Sequence, residues 1–298
     1  CEVKRWEYKV NHVGLFRPWG SGTVGDPLPD GYRHFSTCNE YIERHFQGDK
    51  NYAHIQAGAA RGLRRFLGPV CFDHYVGDVK PTDLPSAKHR FMIFWQQITR
   101  SQIPEGSGWK RFPFPGGRML TGFAIIPPTG PYHEGWSEHA KRHRARWLKQ
   151  TTHEIVEADV ETYLKGYRRC NKPRSVINVF THEIRKKALR HPGMLRLRVA
   201  RDKQTQEIVA GFASLWIPEV QQTFHVTSFI TKAGMKTSVA FGLVDDVFRL
   251  SQERGCRFLE FDGFWTFGNP SSWKGFSRFK SQFDVHFIRW PRPFIRFD

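Results

Sequence analysis

Residues 194–265 read MLRLRVARDKQTQEIVAGFASLWIPEVQQTFHVTSFITKAGMKTSVAFGLVDDVFRLSQERGCRFLEFDGFW, and the architecture of the chain follows from this stretch. Leu195, Leu197 and Val199 alternate with Arg196 and Arg198, which is the period of a half-buried strand over 194–200. A polar turn at 202–207 leads into an apolar run over 208–217, and a second turn leads into 223–231. Three sequential strands joined by short turns are expected to pair antiparallel. Thr237 or Ser238 then caps a helix to Glu253, where Ala240, Leu243, Val247 and Ser251 keep the 3.6-residue period. Gly255 ends that helix, and 256–264 follows as an apolar strand.

Outward from this block the pattern stays regular on both sides. Upstream, 136–149 is helical, with Trp136, Ala140, His143 and Trp147 on one side, and 153–156 is a short strand. Asp159 caps a helix through 169, and a second helix runs from Pro173 to about 190, stopped by His191-Pro192-Gly193. Downstream, Asn269-Pro270 opens a helix to about 282, and 285–297 closes with one or two strands. The fold class is therefore α+β, a mixed, mainly antiparallel sheet flanked by helices.

The first half is less periodic. Residues 1–35 read as an irregular arm punctuated by Gly and Pro. A helix is expected from Ser36 as N-cap, with Tyr41, Ile42, His45 and Phe46 on one face. Another is expected over 52–67, with Ile55, Ala59, Leu63 and Phe66 in register and Arg61, Arg64 and Arg65 outside. Residues 68–88 carry turn signals, 90–98 and 118–126 read as strands around the loop 103–109, and Pro127–Pro131 marks a domain boundary. The expected organisation is a divergent N-terminal domain, 1–135, and a C-terminal domain, 136–298.

Composition bounds the function. The 298 residues, about two domains' worth, include 26 Phe, 10 Trp and 8 Tyr, enough to bury a core and exclude a disordered chain. The longest mostly apolar stretch, 119–126, is far too short to span a bilayer. No charged-then-apolar leader opens the sequence, and a first residue of Cys suits a product that begins within a longer one. Lys and Arg number 46 against 28 Asp and Glu, a net charge of +18, which favours polyanionic partners such as nucleic acid or a phosphate-bearing coenzyme. Five scattered Cys without a CxxC pair suit a reducing, cytoplasmic setting and no structural zinc.

Three segments carry a resemblance. WSEHAKRHRARWLK (136–149), ERGCRFLEFDGFW (253–265) and NPSSWKGFSRFKSQF (269–283), together with their spacing, resemble the FemABX-type aminoacyl and acyl transferases, which have a GNAT-like acyltransferase fold. The likeness covers about 136–298. It implies a degenerate second copy of that fold over 1–135 and activities such as peptidoglycan cross-bridge formation. The chain departs from the family at Asp284, where Gly is usual, and in the segment after Phe264, which lacks acidic residues.

Lys280 is unusual on residue grounds alone, because Trp273, Phe276, Lys280 and Phe283 share one helical face. A lysine in an aromatic stripe snorkels, pairs or points into a cavity. The resemblance implies the cavity, where an ammonium would stabilise an oxyanion or hold a donor phosphate. Asp262, at the C-terminal end of its strand, could orient an amine or accept its proton, or serve as a turn carboxylate. Ser228 is a third catalytic candidate. Its spacing of three from His225 puts the two on opposite faces of a regular strand. Thr231, Lys232, Gly234, Lys236, Thr237 and Ser238 form a strand-to-helix loop that suits a phosphate, though an ordinary N-cap would look the same. It is not a Walker A motif. Lys141, Arg142, Arg144 and Arg146 interleave with Trp as RNA binding requires, or form a solvated face.

The expected function is amide formation from an activated acyl donor and an amine acceptor. Aminoacyl-tRNA is the favoured donor and acyl-CoA the other co-substrate, with no permanently bound cofactor and no metal. A non-catalytic RNA-binding module on a transferase-like fold is the alternative. The donor is expected to lie where the strands 223–231 and 256–264 splay apart.

Overall fold

A computed structural model describes residues 17–18, 28–58, 60–98, 108–113, 120–170, 172–266, 269 and 271–298. The expected arm up to position 27 (apart from Arg17–Pro18), the loop at 103–107, Ala59 and Pro270 lie outside the described residues.

The chain is α+β, with two mainly antiparallel sheets flanked by helices. In order the elements are β1 (Arg17–Pro18), α1 (Asn39–Phe46), β2 (Tyr52–Ala57), β3 (Ala60–Leu67), β4 (Val70–Val76), β5 (Arg90–Gln96), β6 (Lys110–Arg111) and β7 (Leu120–Ile125). Then come α2 (Glu138–Lys149), β8 (His153–Glu157), α3 (Val160–Arg168), α4 (Arg174–Arg190), β9 (Leu195–Asp202), β10 (Ile208–Ile217) and β11 (Gln222–Ile230). The last are α5 (Val239–Glu253), β12 (Phe258–Gly263), α6 (Trp273–Lys280), β13 (His286–Arg289) and β14 (Phe294–Phe297). The large sheet has the order β1-β13-β7-β12-β11-β10-β9-β8, and the small one β2-β3-β4-β5-β14-β6.

The regular half forms as its periodicity dictates. Asp159 caps α3 by accepting from the Thr162 N–H, and Ser137 caps α2 by accepting from that of Ala140. One face of the large sheet buries Phe212, Leu259 and Phe261 against Trp136 of the segment entering α2 and Val244 and Phe248 of α5. The other buries Leu197, Val199 and Phe229 against Tyr163, Leu164 and Tyr167 of α3 and Ile184 of α4. Hydrogen bonding does not respect a boundary at 135. β7 lies between β12 and β13, antiparallel to both, while β14 crosses over to pair with β5 and β6.

The helix expected over 52–67 is a hairpin, β2–β3. Gly58 turns it with φ +57°, a left-handed conformation that ends any helix, and Gly62 lies so close to the His74 carbonyl that a Cβ would clash. Arg64, expected outside, is buried and grips Asp73 of β4 through two hydrogen bonds of 2.8 and 3.0 Å. Arg90 joins Asp73 at 3.0 Å and reaches Asp298 at 2.9 Å, which ties the end of β14 to the small sheet. Ser36 is not an N-cap. It sits in a 3-10 turn, Phe35–Thr37, and α1 starts at Asn39 without a side-chain cap.

α1 docks on α4 through stacked rings. Tyr41, His45 and His191 lie 4.9 to 5.3 Å apart, with His45 Nδ1 3.2 Å from His191 Nε2 and His45 Nε2 3.6 Å from Glu183. Burial, with His45 alongside, pushes His191 down to about 3. Contact with His45 holds Glu183 down at about 2. A neutral His191 in the fold means that the unfolded chain binds the extra proton below 6.5. Stability is therefore full above that pH and lost as pH falls toward 3, with Glu183 adding a loss from 4.5 to 2. The urea midpoint is expected to fall across this window. His191→Phe should flatten the slope by up to about 1.4 kcal/mol per pH unit between 6.5 and 3.

Candidate active site

The site begins where a ladder stops. β11 and β12 run parallel and pair over three positions only, Gln222↔Phe258, Thr223↔Leu259 and Phe224↔Glu260, and then diverge. Irregularities in both strands fall just past that point. β12 shifts register against β7 between Glu260 and Asp262, and β11 shifts against β10 opposite Ala213 and Ser214.

Lysine ammoniums occupy the freed carbonyls. Lys280, only 8% exposed, donates from Nζ to the carbonyls of Phe261 at 2.5 Å and Gly263 at 3.3 Å. Its charge lies 4.9 Å from the Phe276 ring centroid and 5.4 Å from that of Phe264. Burial pushes its pKa down to about 8, against the opposing pull of Asp262 and Glu260. Across the gap, Lys172 donates to the Ser228 carbonyl at 2.7 Å and lies over the Tyr167 ring. It too is shifted down by burial. The stripe containing Lys280 is only partly a core stripe, because Trp273 and Phe276 remain more than a third exposed while Phe283 is buried.

Asp262 lies beside Lys280 with φ +58°, a left-handed conformation that Asp tolerates better than most residues. Asp284, where the resembling family has Gly, also has positive φ, 53°. The backbone shape that favours glycine is thus kept. His225 and Ser228 do not lie on opposite faces. The bulge pairs His225 with Ser214 and Ser228 with Phe212, so both point to the face covered by α5. The His225 ring packs 4.7 Å from Phe212, and its pKa falls well below the ordinary value through burial, with Lys280 and Lys172 adding to the fall. His225, Asp262, His34 and Trp290 form one end of a cleft of about 880 Å³, whose walls come from α1, α4 and the small sheet.

The other candidates are the loop that continues from the open end of β11 and the basic face of α2. In the 231–238 loop, the Gly234 N–H goes to Thr231 Oγ1, Met235 to the Thr231 carbonyl, Lys236 to Ala233 and Thr237 to Gly234. The Val239 N–H goes to Thr237 Oγ1. Five donors a phosphate would use are thus bonded within the loop, while Lys232 and Lys236 sit at its surface. Ser238 gives α5 no side-chain cap and instead contacts His143 at 3.0 Å. On α2, Arg142, Arg146 and Lys149 line the outer face, and Lys141 lies against Glu138. Arg144 faces inward to Asp245 at 2.5 Å, beside the Tyr132 hydroxyl. Gly242 lets Trp147 of α2 pack directly on α5, since a Cβ there would meet the indole at 2.3 Å.

Lys172, His34 and Glu260 escape a reading of the sequence. Lys172 precedes Pro173 and looks like helix-flanking charge, while His34 falls in the irregular arm. Glu260 is the one acid in an otherwise apolar run before Asp262, and that is the signal by which it could be found.

No family model and no curated protein match this sequence. Solved structures do. FemX superposes with a TM-score of 0.62 at 10% identity, over 83% of this chain and 88% of that one. A conserved protein of unknown function from Bacteroides thetaiotaomicron gives 0.52 at 9% identity, over 88% and 89%. A tandem GNAT protein from the clavulanic acid biosynthesis pathway gives 0.51 at 10% identity, over 90% of each chain. The fold is FemX-like GNAT. It is a transferase-like fold, and the likeness covers 83% to 90% of the chain. Among the described residues no helix is long and apolar enough to cross a membrane.

The geometry separates the basic residues of α2. Arg144→Ala would leave the largely buried Asp245 carboxylate with one partner fewer, and is expected to cost roughly 1–3 kcal/mol in urea unfolding. Arg142→Ala and Arg146→Ala should leave the midpoint unchanged.

Proposed function

We propose that the chain is an N-acyl or aminoacyl transferase whose donor carbonyl lies in the β11–β12 splay against Lys280. The observation that carries this reading is the buried ammonium at the point where the ladder ends. Lys280 spends two N–H donors on Phe261 and Gly263 and keeps a third for an oxyanion. The acceptor amine attacks the acyl carbon, and the tetrahedral oxyanion is held by Lys280. The bond to the donor's leaving oxygen or sulfur then breaks, and that atom takes up the proton the amine gives up. Asp262, at the end of the cleft, is the carboxylate facing the amine. Ser228 serves through its carbonyl, as the anchor of Lys172.

Aminoacyl-tRNA is the donor this arrangement favours over acyl-CoA. The 231–238 loop bonds the N–H groups of Gly234, Met235, Lys236 and Thr237 internally, which weakens it as a pyrophosphate cradle. Arg142, Arg146 and Lys149 offer an outward basic face, and the net charge of +18 extends it.

Donor consumption from labelled aminoacyl-tRNA and acyl-CoA pools, with a metabolite extract as acceptor, tests the reading. Lys280→Met should reduce turnover about 10²–10³-fold when assayed below its own unfolding midpoint, which should itself fall because the Phe261 and Gly263 carbonyls lose their donor. Wild-type turnover should fall as pH rises through about 8, because Lys280 then loses its proton. Unchanged turnover in Lys280→Met would refute the assignment. RNA binding by the protein without consumption of either donor would instead select the non-catalytic module. Bulk tRNA binding should weaken steeply with salt. Changing Arg142, Arg146 and Lys149 to Glu should flatten that dependence by about one unit of slope for each phosphate that the protein ceases to neutralise.

A further inference from the structure

At the last paired position of the splay, the arm before α1 folds against β12 and leaves a polar cluster in the interior. Glu260 is 1% exposed, His34 3% and Tyr32 5%. Both carboxylate oxygens of Glu260 are buried, and the groups facing them, the Tyr32 hydroxyl and His34 Nε2, pair with them incompletely. Such incomplete pairing in the interior carries a cost, because a buried polar group left unsatisfied forfeits about 1–3 kcal/mol. His34 Nε2 does approach Glu260 Oε1, at 3.1 Å, but the contact is not an in-line hydrogen bond. Asp262 brings a second carboxylate, and one donor atom from each of His34, Glu260 and Asp262 lies within 4.8 Å of the others.

We propose that His34, Glu260 and Asp262 form a binding site for a divalent first-row transition cation, Mn²⁺ or Zn²⁺ in class. Ligand atoms about 2.1 Å from one cation stand about 3 Å apart when adjacent, which is the separation His34 and Glu260 already show. The imidazole is held by its other nitrogen, Nδ1, which accepts the Ser36 N–H at 3.3 Å and lies 2.5 Å from Ser36 Oγ; a cation at Nε2 requires the tautomer in which Nδ1 carries the proton and donates it to Oγ. One imidazole with two carboxylates suits Mn²⁺ or Zn²⁺ better than Mg²⁺ or Ca²⁺, which prefer all-oxygen ligands. The two carboxylates match the charge of the cation, and Lys280 keeps to the carbonyls of Phe261 and Gly263. His34 and Asp262 border the cleft, which provides both an entry path and room for further ligands. Asp262 ligating through one oxygen keeps the other for an amine. The cation site does not rest on the acyl-transfer reading.

The test uses the full chain, stripped with EDTA and desalted, then titrated with Mn²⁺ by electron paramagnetic resonance and with Zn²⁺ and Mg²⁺ by calorimetry. One equivalent of Mn²⁺ and of Zn²⁺ is expected to bind, Mg²⁺ more weakly, and the melting temperature should rise with bound metal. Glu260→Gln and His34→Asn should each weaken binding about tenfold or more. Should either variant fail to fold, the spin-echo spectrum of the wild-type Mn²⁺ complex still decides, since one imidazole nitrogen must be coupled to the metal. Three results would each overturn the site: no saturable binding, binding unchanged in both variants, or bound Mn²⁺ without nitrogen coupling. The first would leave His34 and Glu260 as a buried ion pair that ties the arm to β12.

Discussion

The backbone ladder between β11 and β12 stops after Phe224 and Glu260, and the candidate site depends on that interruption. Parallel strands that continued in register would satisfy their own carbonyls and leave no gap. Here the register shifts in both strands turn backbone groups away from each other, and a buried carbonyl without a donor is costly. Lys280 and Lys172 meet that need from opposite sides, one on Phe261 and Gly263, the other on Ser228. Burial displaces both ammoniums toward the neutral form, while the carbonyls they bond favour the charged one. Structure and chemistry are coupled at this point, because the groups that allow the strands to part are the charges a reacting carbonyl would meet.

The cleft above the splay exists because the two sheets exchange strands. β7 completes the large sheet between β12 and β13, and β14 completes the small one between β5 and β6. Two crossings fix the sheets relative to one another more firmly than a surface contact would. Asp73 secures the second crossing: fully buried, it holds Arg64 and Arg90, and Arg90 reaches Asp298 just past β14. Losing one member of such a buried network strands the others, so the ion pairs act as a positional lock. Reactive groups at the splay foot then face walls supplied by α1, α4 and the small sheet.

Legibility in the sequence follows periodicity. The strands and helices from 136 onward fall close to their expected places, since each buries one face and exposes the other. Lys280 stands out because an ammonium in an aromatic stripe violates that pattern. The hairpin over 52–67 reads as a helix because Ile55, Leu63 and Phe66 also fit a helical spacing, and the inward-facing Arg64 looks like surface charge. β4 does not read as a strand because its inward residues include Asp73, whose partner lies on another strand. A rule that holds for a regular strand puts His225 and Ser228 on opposite faces, and one bulge reverses it. Arg144 reads as exposed basic charge, and only the fold gives it Asp245.

Local sequence alone thus determined the element order from 136 onward, the antiparallel run of three strands, the cap at Asp159 and the anomaly at Lys280. Each of these depends on residues within a few positions of one another, where propensity and hydrogen bonding act directly. The strand exchange, the end of the β11–β12 ladder, the pairing of Lys172 with Ser228 and the meeting of His34 with Glu260 and Asp262 were decided only in three dimensions. His34 and Glu260 stand far apart along the chain, in the arm and in β12, and nothing local to either names the other. Their contact arises because the arm before α1 must cover the buried end of β12, where Tyr32 packs against Phe123 and Phe258 and carries His34 in with it.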